Sequence, residues 1–122
     1  MRTKLSLLFR IGFWSALAFA YICAIIPGGP ELEGSDKFTH LVAFGTLAFL
    51  ARVGWARQRA LGIALALILF GIFIEITQMI PALHRDAEAL DVVADAGGVA
   101  IGLLAGWLVR RLLRRMDRGF AG

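Results

Sequence analysis

Residues 60–80 read ALGIALALILFGIFIEITQMI, and Glu75 is the only charged residue among them. At a rise of about 1.5 Å per residue, a segment of this length can cross the roughly 30 Å hydrocarbon core of a bilayer as one α-helix. A backbone in lipid has to satisfy its own hydrogen bonds, which favours a helix over an isolated strand. The segment therefore predicts a transmembrane helix.

Three further apolar segments flank this one, and together they predict a single all-α domain over residues 1–122, an integral membrane four-helix bundle. The composition agrees, since 59% of the residues are hydrophobic and 18% are charged, against about 45–50% and about 25% in a typical soluble domain. The turn signal Pro27-Gly28-Gly29-Pro30 closes the first segment, and Pro81 ends the third. The predicted helices cover residues 5–26, 37–53, 60–80 and 90–109, with a basic tail over residues 110–122.

The second segment spans a membrane only if Asp36, Lys37 and His40 lie at its interfacial end. For the first segment, a cleaved signal peptide over residues 1–20 is an alternative, with Ala18-Phe19-Ala20 as the small-residue site. Arg10 interrupts the apolar stretch that such a signal requires, which favours a retained helix.

The connectors alternate in charge, and this alternation predicts the orientation of the helices. Basic residues lie at the start of the chain, around the second connector and after the fourth helix, at Arg2, Lys4, Arg10, Arg52, Arg57, Arg59, Arg110, Arg111, Arg114, Arg115 and Arg118. Cytoplasmic loops carry the excess of lysine and arginine, so both termini are predicted to be cytoplasmic, in a multi-pass protein of the inner (cytoplasmic) membrane. This placement explains the net charge of +4, and no nucleic-acid partner is predicted.

Three of the predicted helices carry a pair of polar residues spaced three or four apart, so that each pair shares one face of its helix. The pairs are Asp36 and His40, Glu75 and Gln78, and Asp91 and Asp95. By the predicted topology, every pair lies at the extracytoplasmic end of its helix. Charged side chains at such a depth usually face the bundle interior, where they pair with one another or line a wet cavity.

We therefore predict one polar site where these pairs meet. Acids outnumber permanent bases there, so either a cation is held or one carboxyl group keeps its proton. The candidate catalytic residues are Glu75, His40, Asp91 and Asp95, and the candidate substrate-binding residues are Asp36, Lys37, Gln78 and Arg85. The histidines and scattered acids do not match a zinc spacing, so no metal site is predicted, and the cofactor is unknown.

Structural roles are the alternative for several of these residues. Asp36 and Asp91 stand where helix N-caps are expected, and His40 fits a hydrogen bond within the bundle. Glu75 has no such alternative, because the helix dipole disfavours an anion near the C-terminal end. Glu75 is accordingly the strongest single candidate for a functional residue.

Small residues recur every four positions on the fourth helix, at Ala94, Gly98, Gly102 and Gly106. A stripe of this kind lets two helix backbones approach closely. It predicts either close packing within the bundle or a homo-oligomer through Gly98, Gly102 and Gly106. The only cysteine, Cys23, has no partner for an internal disulfide.

Around these residues the chain resembles the VanZ-like family, which consists of small membrane proteins and is named for a teicoplanin-resistance protein of glycopeptide-resistant bacteria. The resemblance covers roughly residues 36–106 and rests on Asp36-Lys37-Phe38-Thr39-His40 with Phe44, on Glu75-x-x-Gln78, on Arg85, and on Asp91-Val92-Val93-Ala94-Asp95-Ala96-Gly97-Gly98-x-x-x-Gly102. The family usually has an asparagine where this chain has Asp95.

The resemblance implies a cell-envelope protein, because family members are associated with reduced sensitivity to glycopeptide antibiotics and with envelope or exopolysaccharide contexts. It supplies no reaction, so an enzyme and a non-catalytic protein are both open. We expect a pocket at the extracytoplasmic face that binds or modifies a membrane lipid or lipid-linked head group. Arg85 and Lys37 would pair a phosphate there, and Glu75 or His40 would exchange a proton. The alternatives are a non-catalytic subunit or scaffold and a small proton- or cation-coupled transporter.

Overall fold

The computed structural model describes residues 2–27, 36–83 and 87–122. Within these ranges the chain forms four α-helices and no strand, which confirms the all-α prediction. The helices are α1 Arg2–Ile25, α2 Asp36–Gly54, α3 Ala60–Gln78 and α4 Ala89–Ala121, and a short 3₁₀ turn over Pro81–Leu83 follows α3. The turn predicted over residues 27–30 lies outside the described residues except for Pro27.

The fourth helix is longer than the sequence predicted. The other three helices match their predicted bounds to within one helical turn, whereas α4 continues past residue 109 to Ala121. The prediction marked the end of the apolar segment and not the end of the helix. Arginine, leucine and methionine, which dominate residues 110–116, are good helix formers, so the basic tail extends α4.

Three helices are long and apolar enough to cross a membrane, over Thr3–Ile25, Ala60–Gln78 and Ala89–Ala121. The second helix is not among them, and it carries three charged residues, Asp36, Lys37 and Arg52. It contacts each of the other three helices, and its Phe44, Leu47 and Ala48 are buried in the hydrophobic core. A helix that contacts protein on several sides needs less apolar surface than one that faces lipid.

The glycine stripe of α4 lies against α2, and these two helices share the most extensive contact in the described fold. A methyl group on Gly98 would overlap the carbonyl oxygen of Leu41, and a methyl group on Gly102 would overlap that of Gly45. The two backbones therefore approach so closely that only a hydrogen atom fits between them.

Gly106 continues this contact, because a Cβ atom there would lie 2.6 Å from the Cβ atom of Arg52. The surface that we predicted for a homo-oligomer is thus occupied by α2 of the same chain. An oligomer that used it would have to displace α2. The homo-oligomer itself stays a prediction.

Arg10, which interrupts the first apolar segment, interacts with the C-terminal end of α2. Its Nε donates a hydrogen bond to the carbonyl oxygen of Gly54 at 2.8 Å, and its guanidinium carbon lies 5.5 Å from the ring centroid of Trp55. A cation is favourable at a helix C-terminus because it complements the helix dipole. Arg10 therefore ties α1 to α2 at the end of the bundle opposite the acidic connectors.

Candidate functional site

Four buried polar side chains gather around His40 in the predicted site: His40 itself, Glu75, Asp91 and Asp95. Among the described residues, those that are both buried and polar or charged are His40, Glu75, Gln78, Asp91 and Asp95. Asp91 and Asp95 have no exposed surface at all. Burying charge is costly unless partners or a ligand compensate for it, so this concentration on three helices marks a polar site inside the bundle.

His40 of α2 lies at the centre of this site. Its Nδ1 is 2.6 Å from Oδ1 of Asp95 on α4. A carboxylate only accepts hydrogen bonds, so Nδ1–H donates, and the lone pair of the neutral imidazole is then on Nε2. The ring is parallel to that of Phe44, with centroids 6.3 Å apart, which helps to hold its orientation.

The Nε2 atom of His40 faces three carboxyl groups, one from each of α2, α3 and α4. It lies 3.9 Å from Oδ1 of Asp36, 3.9 Å from Oε1 of Glu75 and 3.7 Å from Oδ2 of Asp91. These distances exceed the usual hydrogen-bond range of about 2.7–3.2 Å. Three acidic groups therefore surround one nitrogen without a direct hydrogen bond to it.

Several oxygens of the cluster accept no hydrogen bond within the described part of the chain. They are Oε1 of Glu75, both carboxyl oxygens of Asp91 and Oδ2 of Asp95. Leaving a buried acceptor unsatisfied costs about 1–3 kcal/mol. An arrangement of this kind suits a site that receives a cation, a proton or the donor groups of a ligand.

Lys37 lies at the rim of the site. Its Nζ donates a hydrogen bond to Oε2 of Glu88 at 2.6 Å and lies 3.6 Å from Oδ1 of Asp91. The side chains of Lys37 and Glu88 are about half exposed. Lys37 thus places a partly exposed positive charge beside the buried acids, at the edge of the bundle.

Glu75 has a structural role that its sequence position does not reveal. Its Oε2 accepts a hydrogen bond from the backbone N–H of Glu88 at 2.9 Å, and Glu88 is the N-cap residue of α4. The carboxylate therefore lies at the positive end of the α4 dipole, which favours an anion. Its other oxygen faces His40, so Glu75 serves both the fold and the site.

The capping alternative for Asp91 is wrong, because the N-cap of α4 is Glu88. Asp91 lies within the first turn of α4, and its side chain is fully buried. Asp36 is the first residue of α2 and also lies beside His40. Both acids thus belong to the cluster.

Gln78 is buried, and its hydrogen bond leads to another helix. Its Nε2 donates to the carbonyl oxygen of Ala24 at 2.9 Å, which ties α3 to the end of α1. Arg85, the remaining predicted substrate-binding residue, lies in residues 84–86, outside the described residues.

Gly71 is part of the site, although the sequence analysis missed it. A Cβ atom at Gly71 would overlap Oδ2 of Asp95 and would lie 3.3 Å from Cζ of Phe44. The glycine therefore leaves space on α3 for the buried carboxyl group of Asp95. Gly71 lies four residues before Glu75 and therefore on the same helix face, so this spacing could have identified it from the sequence.

An apolar groove of about 350 Å³ runs from the site along α1 and α2. Asp36 and His40 belong to its lining. The apolar walls include Phe19, Ala20, Cys23, Ala43 and Ile74. The groove thus has a long apolar part and a polar end at the acidic cluster.

A second cavity, of about 610 Å³, lies beside the connector between α2 and α3. Arg10, Arg57, Arg110 and Arg114 are among its lining residues. Its basic lining corresponds to the segments whose charge predicts a cytoplasmic location. None of the predicted site residues that the structure describes lines this cavity.

The acidic cluster also contains residues that could hold a metal ion. Asp36, His40 and Asp91 each offer one ligand atom, and these atoms all lie within 4.8 Å of one another. The sequence predicted no metal site, because the histidines and scattered acids match no zinc-binding spacing.

The sequence model of the VanZ/LLP1 family matches residues 4–110 of the chain. This range contains all the predicted site residues. In comparisons with curated proteins and with solved structures, nothing matches the chain.

Proposed function

The chain belongs to the VanZ/LLP1 family, and we propose that it is a membrane protein that binds or modifies a lipid or lipid-linked head group. The proposed site is the acidic cluster around His40, at the end of the bundle that the charge pattern predicts to be extracytoplasmic.

The observation that carries the proposal is the continuity between the apolar groove and the acidic cluster. Asp36 and His40 line the groove and also belong to the cluster. A lipid has the same two parts, a hydrocarbon chain and a polar head group. The hydrocarbon chain of the lipid would lie along α1 and α2, and its head group would face His40 and the acids. Ligand sites commonly combine an apolar wall with a few convergent polar groups in this way.

The polar residues supply the chemistry that a phosphorylated head group requires. Lys37, half exposed at the rim, would pair a phosphate oxygen, and Arg85 would do so in the bidentate manner of a guanidinium. His40, whose Nε2 carries the lone pair, or Glu75, whose Oε1 accepts no described hydrogen bond, would take up a proton from the head group.

A non-catalytic scaffold is the second candidate, and two hydrogen bonds favour it. Glu75 binds the N-terminus of α4, and Gln78 binds the end of α1, so both polar residues hold helices together. On this alternative, loss of either residue lowers the amount of folded protein before it changes any lipid.

The variant Glu75→Gln distinguishes the two candidates. The amide oxygen of glutamine can still accept the hydrogen bond from Glu88, so we expect a normal amount of folded protein. The proton-accepting carboxylate is lost, so we expect the lipid profile of the cells and their sensitivity to glycopeptide antibiotics to match those of cells lacking the protein. Normal protein levels with unchanged lipids and sensitivity would contradict the proposal and support the scaffold, because the variant keeps the hydrogen bond from Glu88 on which the scaffold depends.

The groove provides a second test that leaves the acids intact. Replacing Ala20, which lines the groove, by tryptophan should fill the space for a hydrocarbon chain and reduce the lipid that co-purifies with the protein. The matched control is Ala18→Trp, because Ala18 is exposed on the same helix and does not line the groove. Native mass spectrometry measures the bound lipid. Equal lipid occupancy in both variants would exclude the groove as the binding site of the hydrocarbon chain.

A further inference from the structure

We propose that Asp36, His40 and Asp91 bind one divalent metal ion through their facing atoms, with Asp95 as the positioning residue of the histidine.

The first argument is the spacing of the atoms. Metal bonds to nitrogen and oxygen are about 2.0–2.2 Å long, so the ligand atoms around a tetrahedral ion lie roughly 3.4 Å apart. The Nε2 atom of His40 lies 3.7 Å from Oδ2 of Asp91 and 3.9 Å from Oδ1 of Asp36. These separations are too long for hydrogen bonds, yet small side-chain adjustments would bring the atoms to the spacing of metal ligands.

The second argument is the burial of the Asp91 carboxyl group without a described hydrogen bond. Its side chain is fully buried, and neither of its oxygens accepts a hydrogen bond within the described residues. Lys37 is near, but its Nζ lies 3.6 Å from Oδ1 and is hydrogen-bonded to Glu88. A carboxylate buried in this way is costly, and a cation between Asp91 and His40 would offset the cost.

The third argument is the hydrogen bond on the far side of the imidazole. Metal-binding histidines usually donate their other ring N–H to a carboxylate or carbonyl group, which fixes the tautomer and the ring orientation. Nδ1–H of His40 donates to Asp95 at 2.6 Å, so the lone pair of Nε2 is available to a metal. With a metal bound there, Glu75 and not His40 takes up the proton of the proposed function. The charge of Asp95 makes the imidazole a stronger ligand than a neutral acceptor would.

The ligand types indicate the class of ion. Imidazole suits Zn²⁺ and Fe²⁺ and carboxylates suit Mn²⁺, whereas Mg²⁺ and Ca²⁺ prefer sites made entirely of oxygen. Mn²⁺ and Zn²⁺ are therefore the probes of choice. Glu75 does not belong to the group of three residues whose ligand atoms lie close together. Its Oε1 lies 3.9 Å from Nε2 of His40, a position from which it could accept a hydrogen bond from a metal-bound water.

The metal site lies in the proposed lipid site. It rests on the proposed function in one respect only, namely that the bound metal would contact the phosphate of the lipid head group. Metal binding itself needs no lipid. The two proposals can therefore fail separately: bound metal without bound lipid would overturn the lipid site alone.

The test uses the full chain purified in detergent, stripped with a chelator and titrated with Mn²⁺ or Zn²⁺. We expect one ion per chain by elemental analysis and a higher midpoint of thermal unfolding when the ion is present, because an ion that binds the folded state stabilises it. His40→Gln and Asp91→Asn should each weaken binding by at least about 100-fold, and Asp95→Leu by about 10–100-fold. Asp95→Asn should recover part of that loss, because its amide oxygen still accepts from Nδ1–H.

Asp117→Asn is the matched control, because Asp117 lies on the same helix as Asp91 but about 39 Å further along it. It should bind the ion as the wild type does. The proposal is overturned if wild-type protein shows neither stoichiometric binding nor a thermal shift, a result that does not depend on how the variants fold. It is also overturned if folded His40→Gln and Asp91→Asn bind the ion as tightly as Asp117→Asn.

Discussion

Single atoms decide what the buried residues of this site can do. The two oxygens of Glu75 have different surroundings, since Oε2 accepts the N–H of Glu88 while Oε1 faces His40 without a described hydrogen bond. The two nitrogens of His40 differ in the same way, because one donates to Asp95 and the other faces three acids. One side of each residue therefore serves the fold, and the other side faces the site.

Gly71 provides a prediction at this scale. Replacing it by alanine puts a methyl group against Oδ2 of Asp95, so we expect Gly71→Ala to displace the carboxylate and to lower the free energy of unfolding by about 1–3 kcal/mol. The control is Gly62→Ala on the same helix, where a Cβ atom would meet nothing within 4 Å. Thermal unfolding in detergent measures both variants. Equal stability would show that Gly71 is not needed to make space for Asp95.

At the scale of the helices, the contact between α2 and α4 places the site residues. His40 belongs to one helix of this pair, and Asp91 and Asp95 belong to the other. Gly98 and Gly102 bring the two backbones together, and the acids lie within two turns of Gly98 on α4. Close packing of the glycines is therefore the physical reason that the acids reach the histidine.

Gly102→Ala tests the role of this contact. The added methyl group would overlap the carbonyl oxygen of Gly45, and overpacking of this kind costs about 1–3 kcal/mol. We expect a lower unfolding midpoint and a smaller amount of folded protein. Gly97→Ala is the neighbouring control, because its Cβ atom would make only an ordinary contact with Leu41, at 4.0 Å. A Gly102→Ala protein as stable as Gly97→Ala would mean that the helices can separate without cost.

At the scale of the whole molecule, the charged residues divide the bundle into two ends. The acidic cluster lies at one end, and the arginine-lined cavity lies beside the connector at the other. The positive-inside rule predicts that the arginine-rich end is cytoplasmic, together with both termini. Any reaction at the acidic cluster would then take place on the extracytoplasmic side.

Cysteine labelling tests this orientation in a Cys23→Ala background. We expect Ala87→Cys, in the connector before α4, to react with a membrane-impermeant maleimide in intact cells. Arg57→Cys, in the connector between α2 and α3, should react only after the cells are permeabilised. Both positions are exposed, so burial cannot explain a difference between them. The reverse pattern of labelling would invert the predicted topology and place the site in the cytoplasm.

Local properties of the sequence were enough to predict the helices, their apolar character and the polar residues that matter. Hydropathy and the spacing of residues along a helix depend on neighbours in the chain, so Asp36, His40, Glu75, Asp91 and Asp95 could be identified without a structure. The end of α4 was missed because hydropathy marks where an apolar segment stops and helix propensity continues beyond it.

Which of these residues meet, and what each atom contacts, depends on contacts between helices that are distant in the chain. The cap formed by Glu75, the space left by Gly71 and the facing atoms of Asp36, His40 and Asp91 all depend on how helices far apart in the chain pack together. Such packing is decided by shape and close contact, here by glycines that let α2 and α4 approach. The sequence alone therefore determined a membrane-type helical chain with a set of polar residues, and the packing of its helices made that set one site.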